Sequence, residues 1–231
     1  MKKILSLSLL ALSMLFTGKA SATPVSLELL LLVDVSGSIS NSEYNLQKTG
    51  YVDAFRSSSI QSLIEAQTDG IAVAYAEWAS GSQQSLLVNW YHITDAASAN
   101  AFADLIEGTS RAFSGNTAPG SAITWGMDLF TNNFEGNRNV IDVSGDGTQN
   151  SGSSTSAASA AAEAAGFTVN GITIGGGSSL QNWYANNVVT SDGFLMSVEN
   201  FEDFGDAVAN KIGREIVGGE VPEPTSIALI G

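Results

Sequence analysis

The chain has no cysteine and only one histidine, His92, in 231 residues. No disulfide can form, a thiolate zinc site is excluded, and cysteine usage says nothing about redox compartment. Basic residues are also scarce: nine Lys and Arg face 23 Asp and Glu, for a formal net charge of −14. Such a surface repels phosphate backbones, so nucleic acid is not expected as a partner. It favours solubility and attracts cations, two readings of equal weight. Gly-x-Ser-x-Gly does not occur, and His92 in Trp90-Tyr91-His92-Ile93 falls at the end of an expected edge strand, so a serine-hydrolase triad has no support. There is no Walker loop, and Gly175-Gly176-Gly177 lacks both dinucleotide spacing and a following lysine. The expectation is a protein that is not an enzyme.

What is present begins with a leader. Lys2-Lys3 is a short basic region, Ile4 to Phe16 is mostly apolar, and Ala20-Ser21-Ala22 is a small-x-small site. Residues 1–22 read as a secretory signal peptide cleaved after Ala22, too short for a membrane anchor. Lys2, Lys3 and Lys19 leave with it, so the mature chain sets six basic residues against 23 acids, a net charge of −17. The remainder, 44% hydrophobic over the full chain, suits one domain with a sizeable core, expected over residues 23–217.

Strand and helix patterns alternate along that domain. Ser26–Val35 reads as a buried strand, and Ser40-Asn41-Ser42-Glu43 is a capping box opening a helix to about Ser58, with Tyr44, Tyr51, Val52 and Phe55 on its apolar stripe. Ile71–Trp78 and Ser85–Tyr91 are joined by a loop too short for a crossover helix, so they form an antiparallel hairpin at a sheet edge. Helices are expected at Ala96–Glu107, Gly120–Thr131, Ser156–Ala165, Leu180–Asn187 and Asn200–Val217. Further strands are expected at Asn139–Val143, Phe167–Ile174 and Gly193–Val198. This order predicts an α/β fold: a doubly wound, Rossmann-like, mostly parallel sheet with one antiparallel edge strand. The four tryptophans, Trp78, Trp90, Trp125 and Trp183, are scattered over separate elements and read as packing groups.

The chemistry concentrates where apolar runs end. Leu30-Leu31-Leu32-Val33 runs into Asp34-Val35-Ser36-Gly37-Ser38, with an oxygen-bearing side chain at every second position. That cluster sits at the carboxyl end of a strand, where open α/β sheets bind ligands, and its hard oxygens suit a small divalent cation. Asp146-Gly147 follows another strand, and Thr117 precedes a helix, so all five oxygen-bearing side chains could converge on one ion. The run Asp142-x-Ser144-x-Asp146-Gly147 imitates an EF-hand, but Ser153 stands at position twelve where glutamate is needed. Asp142 and Glu77 are acids inside apolar strands; they read as satisfied core acids or as groups supporting the site, the former slightly favoured.

Asp34-x-Ser36-x-Ser38, Thr117 with the following Ala122-Ile123, and Asp146-Gly147 together resemble the von Willebrand factor type A (vWA) domain over about residues 26–217. The resemblance implies a metal-ion-dependent adhesion site (MIDAS). Ser36, Ser38 and Thr117 would bind Mg²⁺ (or Mn²⁺ or Ca²⁺) directly, Asp34 and Asp146 would act largely through water, and a partner carboxylate would complete the octahedron. Tyr75-Ala76-Glu77-Trp78, Ile141 to Gly147 and Phe201-Glu202-Asp203-Phe204 resemble one bacterial subgroup of exported vWA proteins whose function is unassigned. The tail carries a second resemblance: Val221, Pro222, Glu223 and Pro224, followed by an apolar stretch, are similar to the PEP-CTERM sorting signal. That implies processing by an exosortase-type enzyme. The full membrane helix and basic cluster of that pattern do not follow before Gly231, so the signal reads as truncated or degenerate, and residues 218–231 as a linker and the start of the tail.

These readings add up to an exported domain, periplasmic to extracellular. It would touch the membrane only transiently, through signal and tail, and capture an acidic group of a protein or polysaccharide through the metal. The alternative is a structural component of an extracellular matrix or biofilm in which the metal only stabilises the fold.

Overall fold

The computed structural model describes residues 21–219. The leader up to residue 20 and the sorting motif Val221, Pro222, Glu223 and Pro224 lie outside the described residues. In chain order the elements are β1 (Thr23–Val25), β2 (Leu27–Asp34), α1 (Asn41–Arg56), α2 (Ser58–Glu65), β3 (Ile71–Trp78), β4 (Gln84–Ile93), α3 (Ala96–Glu107), α4 (Pro119–Asp128), β5 (Phe134–Gly136), β6 (Asn139–Gly145), α5 (Thr155–Ala164), β7 (Phe167–Ile174), α6 (Gly177–Asn187), β8 (Leu195–Val198) and α7 (Phe204–Val217).

Six strands form the central sheet in the order β4-β3-β2-β6-β7-β8. All neighbours are parallel except β4, which pairs antiparallel with β3 at one edge. The apolar run of β2 is buried throughout because helices cover both faces of the sheet. Its side chains alternate. Leu27, Leu29, Leu31 and Val33 pack with Tyr51, Phe55, Phe102, Phe204 and Ile212 from α1, α3 and α7. Leu30 and Leu32 pack with Ala122, Ile123, Ala158, Leu180 and Tyr184 from α4, α5 and α6. The chain runs outward from β2 to β3 on one side and returns to β6 on the other. The carboxyl ends of β2 and β6 therefore flank a topological switch point, where a crevice opens.

Several element bounds differ from the sequence reading, with α4 ending at Asp128 rather than Thr131 and α6 starting at Gly177 rather than Leu180. Three further local features differ for reasons the contacts show. The helix expected to reach Ser58 ends at Arg56, and α2 starts immediately after. Ser57 is extended, with φ −73° and ψ 136°. Its hydroxyl donates to the Ala54 carbonyl at 2.7 Å and accepts from the Ile60 N–H at 3.4 Å, so one serine ends α1 and caps α2. The last helix starts at Phe204 rather than Asn200, because the Asn200 side chain accepts the Asp203 N–H at 3.0 Å and holds a turn there. A two-stranded parallel ribbon, β1 with β5, was not expected. It is anchored by Glu28, which accepts from the Gly136 N–H at 2.8 Å and from Asn132 Nδ2 at 2.7 Å.

Candidate metal centre

All five site residues expected from the sequence meet in the crevice. Asp34 ends β2, and one of its oxygens, Oδ1, accepts the Ser36 N–H at 2.7 Å, which curls the loop so that Ser36 and Ser38 face the same way. The hydroxyls of Ser36 and Ser38 lie 3.2 Å apart. Thr117 Oγ1 lies 3.4 Å from Ser36 Oγ. Ser38 Oγ donates to Asp146 Oδ1 at 2.7 Å. Asp34, Ser36 and Thr117 form a buried floor, while Ser38 is exposed and Asp146 half-buried at the mouth.

The spacings among the three hydroxyls suit an ion better than they suit hydrogen bonds. Hydroxyl–hydroxyl hydrogen bonds cluster near about 2.7–2.8 Å. Adjacent ligands about 2.1 Å from an octahedral Mg²⁺ lie about 3.0 Å apart, and the longer bonds of Ca²⁺ widen that further. The second Asp34 oxygen, Oδ2, is buried and has no hydrogen-bond partner, an arrangement that is costly unless a cation or an ordered water completes it. The donor set is hard oxygen throughout. No group of three or more His, Asp or Glu that could hold a metal occurs among the described residues, so the hydroxyls are indispensable to any ion bound here.

Electrostatics agree. Burial, with a further contribution from the Asp146 charge, pushes the Asp34 carboxyl up to about 7, although the Ser36 N–H opposes the shift. Burial also raises Asp146, against the Ser38 hydroxyl bond. A divalent cation held by this site would stabilise both carboxylates as anions.

Several supporting residues have no signature in the sequence pattern. Arg111 Nη2 donates to the carbonyls of Val35, Ser36 and Ile39 at 2.9, 2.9 and 2.8 Å, gripping the Asp34–Ile39 loop from the segment that leads to Thr117. Gln47 Nε2 donates to the Asp34 carbonyl at 2.9 Å. Asn150 Oδ1 accepts the Thr117 N–H at 2.9 Å, tying the threonine loop to the loop after Asp146. Gly145 is required by space: a Cβ there would lie 2.2 Å from Tyr184 Oη and 2.9 Å from Asp34 Oδ2. The one available hint was that Arg111 is among few cations in an acidic chain and lies six residues before Thr117.

The two strand acids have separate settings. Glu77 Oε2 accepts the Ala112 N–H at 2.7 Å and so helps hold the Arg111 segment. Asp142 faces away from the site, against Lys211 of α7 at 2.5 Å. His92 Nε2 sits 2.9 Å from the Asp69 carbonyl in a structural contact at the sheet edge.

Beside the mouth, a cleft of about 300 Å³ is lined by Glu43, Asp146, Gly175, Gly176, Glu199 and Glu202 among others, giving it an acidic rim. Among the described residues no helix is long and apolar enough to cross a membrane.

Comparison with solved structures identifies the architecture. Proximal thread matrix protein 1 from the mussel byssus, in a form with a zinc-occupied MIDAS motif, superposes with a TM-score of 0.62 at 17% identity, over 86% of this chain and 47% of that one. The pilus adhesin SpaC from Lactobacillus rhamnosus GG gives 0.62 at 16% identity, over 87% and 32%. A von Willebrand factor type A protein from Catenulispora acidiphila gives 0.58 at 15% identity, over 82% and 42%. The chain thus spans about half or less of the length of these neighbours. No curated protein matches the sequence. A family model matches residues 24–220. The fold is therefore of the von Willebrand factor type A kind, and the chain belongs to the family described as "Protein of unknown function (DUF1194)".

Proposed function

We propose that this chain is an exported, non-enzymatic binding domain that captures a partner's carboxylate through a divalent ion held by Asp34, Ser36, Ser38, Thr117 and Asp146. The observation that carries the reading is the convergence of three hydroxyls at ion-sharing spacing above the unpartnered Asp34 Oδ2. Mg²⁺ is the ion of choice, with Mn²⁺ or Ca²⁺ as substitutes, because every donor is oxygen. The exposed Ser38 leaves the ion approachable from solvent, which supports capture over a sealed structural site. The zinc-occupied MIDAS of the mussel thread protein and the adhesin role of SpaC support the same reading. The acidic rim of Glu43, Glu199 and Glu202 favours a partner that sets cationic groups around the coordinating carboxylate.

The leader supports secretion and the Val221-Pro222-Glu223-Pro224 tail supports exosortase-type sorting, which together put the domain at the cell surface or in its matrix. A second reading, a matrix component whose ion only stabilises the fold, is favoured by the thread-matrix origin of the mussel neighbour. Pulldown from cell-envelope and matrix extracts separates the two. Capture is expected with wild type in Mg²⁺ and lost with chelator or in Asp34→Ala. Binding indifferent to both overturns the adhesion reading, whereas metal-dependent stability without metal-dependent capture selects the scaffold.

A further inference from the structure

Away from the metal centre, the core holds three ionisable side chains in direct contact. Lys211 on α7 is fully buried, as is Asp142 in the middle of β6, and Glu215, one turn further along α7, is 2% exposed. Lys211 Nζ lies 2.5 Å from Asp142 Oδ1 and 2.5 Å from Glu215 Oε1. Asn170, beside Asp142 on β7, donates its Nδ2 to the same Glu215 oxygen at 2.9 Å. The other oxygens, Asp142 Oδ2 and Glu215 Oε2, are buried and accept no hydrogen bond. The Phe194 ring lies 5.4 Å from Nζ, and the buried Tyr51 ring stacks edge-on against Phe204 of α7.

Arg138, just before β6, donates to the Glu215 and Ile216 backbone carbonyls rather than to either carboxylate, so the two acids and one base in contact carry a surplus negative charge unless one acid keeps its proton. Burial together with the Asp142 charge pushes Glu215 up to about 7, and burial raises Asp142 against the pull of Lys211. An amine, a carboxylic acid and a second, protonated acid held in contact are the reactants and the proton carrier for forming an amide.

We propose that Lys211 and Asp142 are joined in the folded chain by an isopeptide bond, with Glu215 carrying the protons. One proton passes from Nζ to Oδ1, leaving a free amine beside a carboxylic acid. The nitrogen lone pair attacks Asp142 Cγ and the C–N bond forms. Glu215 gives its proton to the departing hydroxyl, the Cγ–O bond breaks, water leaves, and Glu215 recovers a proton from the nitrogen. One water is the only other product and no redox partner is needed. Prior contact replaces encounter, which gives the uncatalysed reaction its effective molarity. The bond would clasp α7 to the sheet and close the chain between residues 142 and 211, next to the end from which the tail departs.

Intact mass of the purified full chain tests this directly. Wild type is expected to be lighter than its processed sequence by one water, and Glu215→Ala, prepared identically, to have its full mass. Trypsin should cut after Arg138 and Arg214 but not at Lys211, giving one internally closed peptide over residues 139–214. Wild-type protein that is folded, shows the full mass and is cleaved at Lys211 overturns the proposal, as does a water loss that maps to any other peptide. Water loss that persists in Glu215→Ala overturns the role given to Glu215.

Discussion

Arg111 shows how much of the proposed metal loop is held by residues outside the ligand set. Its Nη2 faces the carbonyls of Val35, Ser36 and Ile39 while Nε donates to the Phe113 carbonyl and Nη1 to Asn41 Oδ1, a divergent set of acceptors that a planar fork of donors serves at once. Arg111→Lys keeps the charge but offers one compact ammonium. Mg²⁺ affinity by titration calorimetry is expected to fall about 10–100-fold, the range typical of lost support around metal ligands. An unchanged affinity would mean that the loop is rigid without it. Thr117→Val replaces a hydroxyl by a methyl of the same shape, so affinity should fall at least as far while the metal-free melting temperature stays close to wild type. At this scale the i, i+2 spacing of Asp34, Ser36 and Ser38 was legible because the donors are side chains. Arg111, Gln47 and Asn150 were not, because their partners are backbone groups of distant segments, which leave no mark in local sequence.

Among the elements, the central strands and α3 were readable to the residue or nearly so, since burial on both faces writes a continuous apolar run and Asp95 caps Ala96–Glu107. Junctions were harder. A single serine divides α1 from α2, and nothing in Arg56-Ser57-Ser58-Ser59-Ile60 says which hydroxyl will turn inward. The crossing of α1 and α7 was invisible for another reason: it depends on what Gly50 lacks. A Cβ there would lie 2.9 Å from Phe204 Cδ1 and 3.1 Å from Gly205 Cα, so the two helices meet backbone to ring. Gly50→Ala gains about 1 kcal/mol of helix propensity. It overpacks a core contact at about 1–3 kcal/mol. The expected outcome is a net loss of stability of about 1 kcal/mol in urea unfolding, with the slope unchanged. A stabilised variant would show that α7 can move outward to accept the methyl.

For the molecule as a whole, charge, protons and the proposed ion form one linked balance. The Asp34 carboxyl has an ordinary value of 3.8 and is pushed up to about 7 by burial. The metal-free folded state therefore holds that proton more tightly than the unfolded chain does. Asp34 favours folding below about pH 4, and this contribution is lost as pH rises through about 7. The raised Asp146 acts in the same direction. A divalent cation bound there would compete with these protons and restore at high pH what their loss removes. At a concentration 100 times its dissociation constant the ion would stabilise the fold by about 2.7 kcal/mol. For a domain of this size that corresponds to a melting shift of roughly 5–10 °C. The shift on adding Mg²⁺ should thus be large at pH 8 and small at pH 5. An acidic chain also responds to salt in general, so NaCl at matched ionic strength is the necessary comparison. Asp34→Asn separates the site from that background. It should melt higher than wild type at pH 8 without metal, because a neutral amide replaces the buried charge, and should gain nothing from Mg²⁺. Equal Mg²⁺ shifts at pH 5 and pH 8, or a full shift in Asp34→Asn, would place the ion's effect on the surface at large rather than in the crevice between β2 and β6.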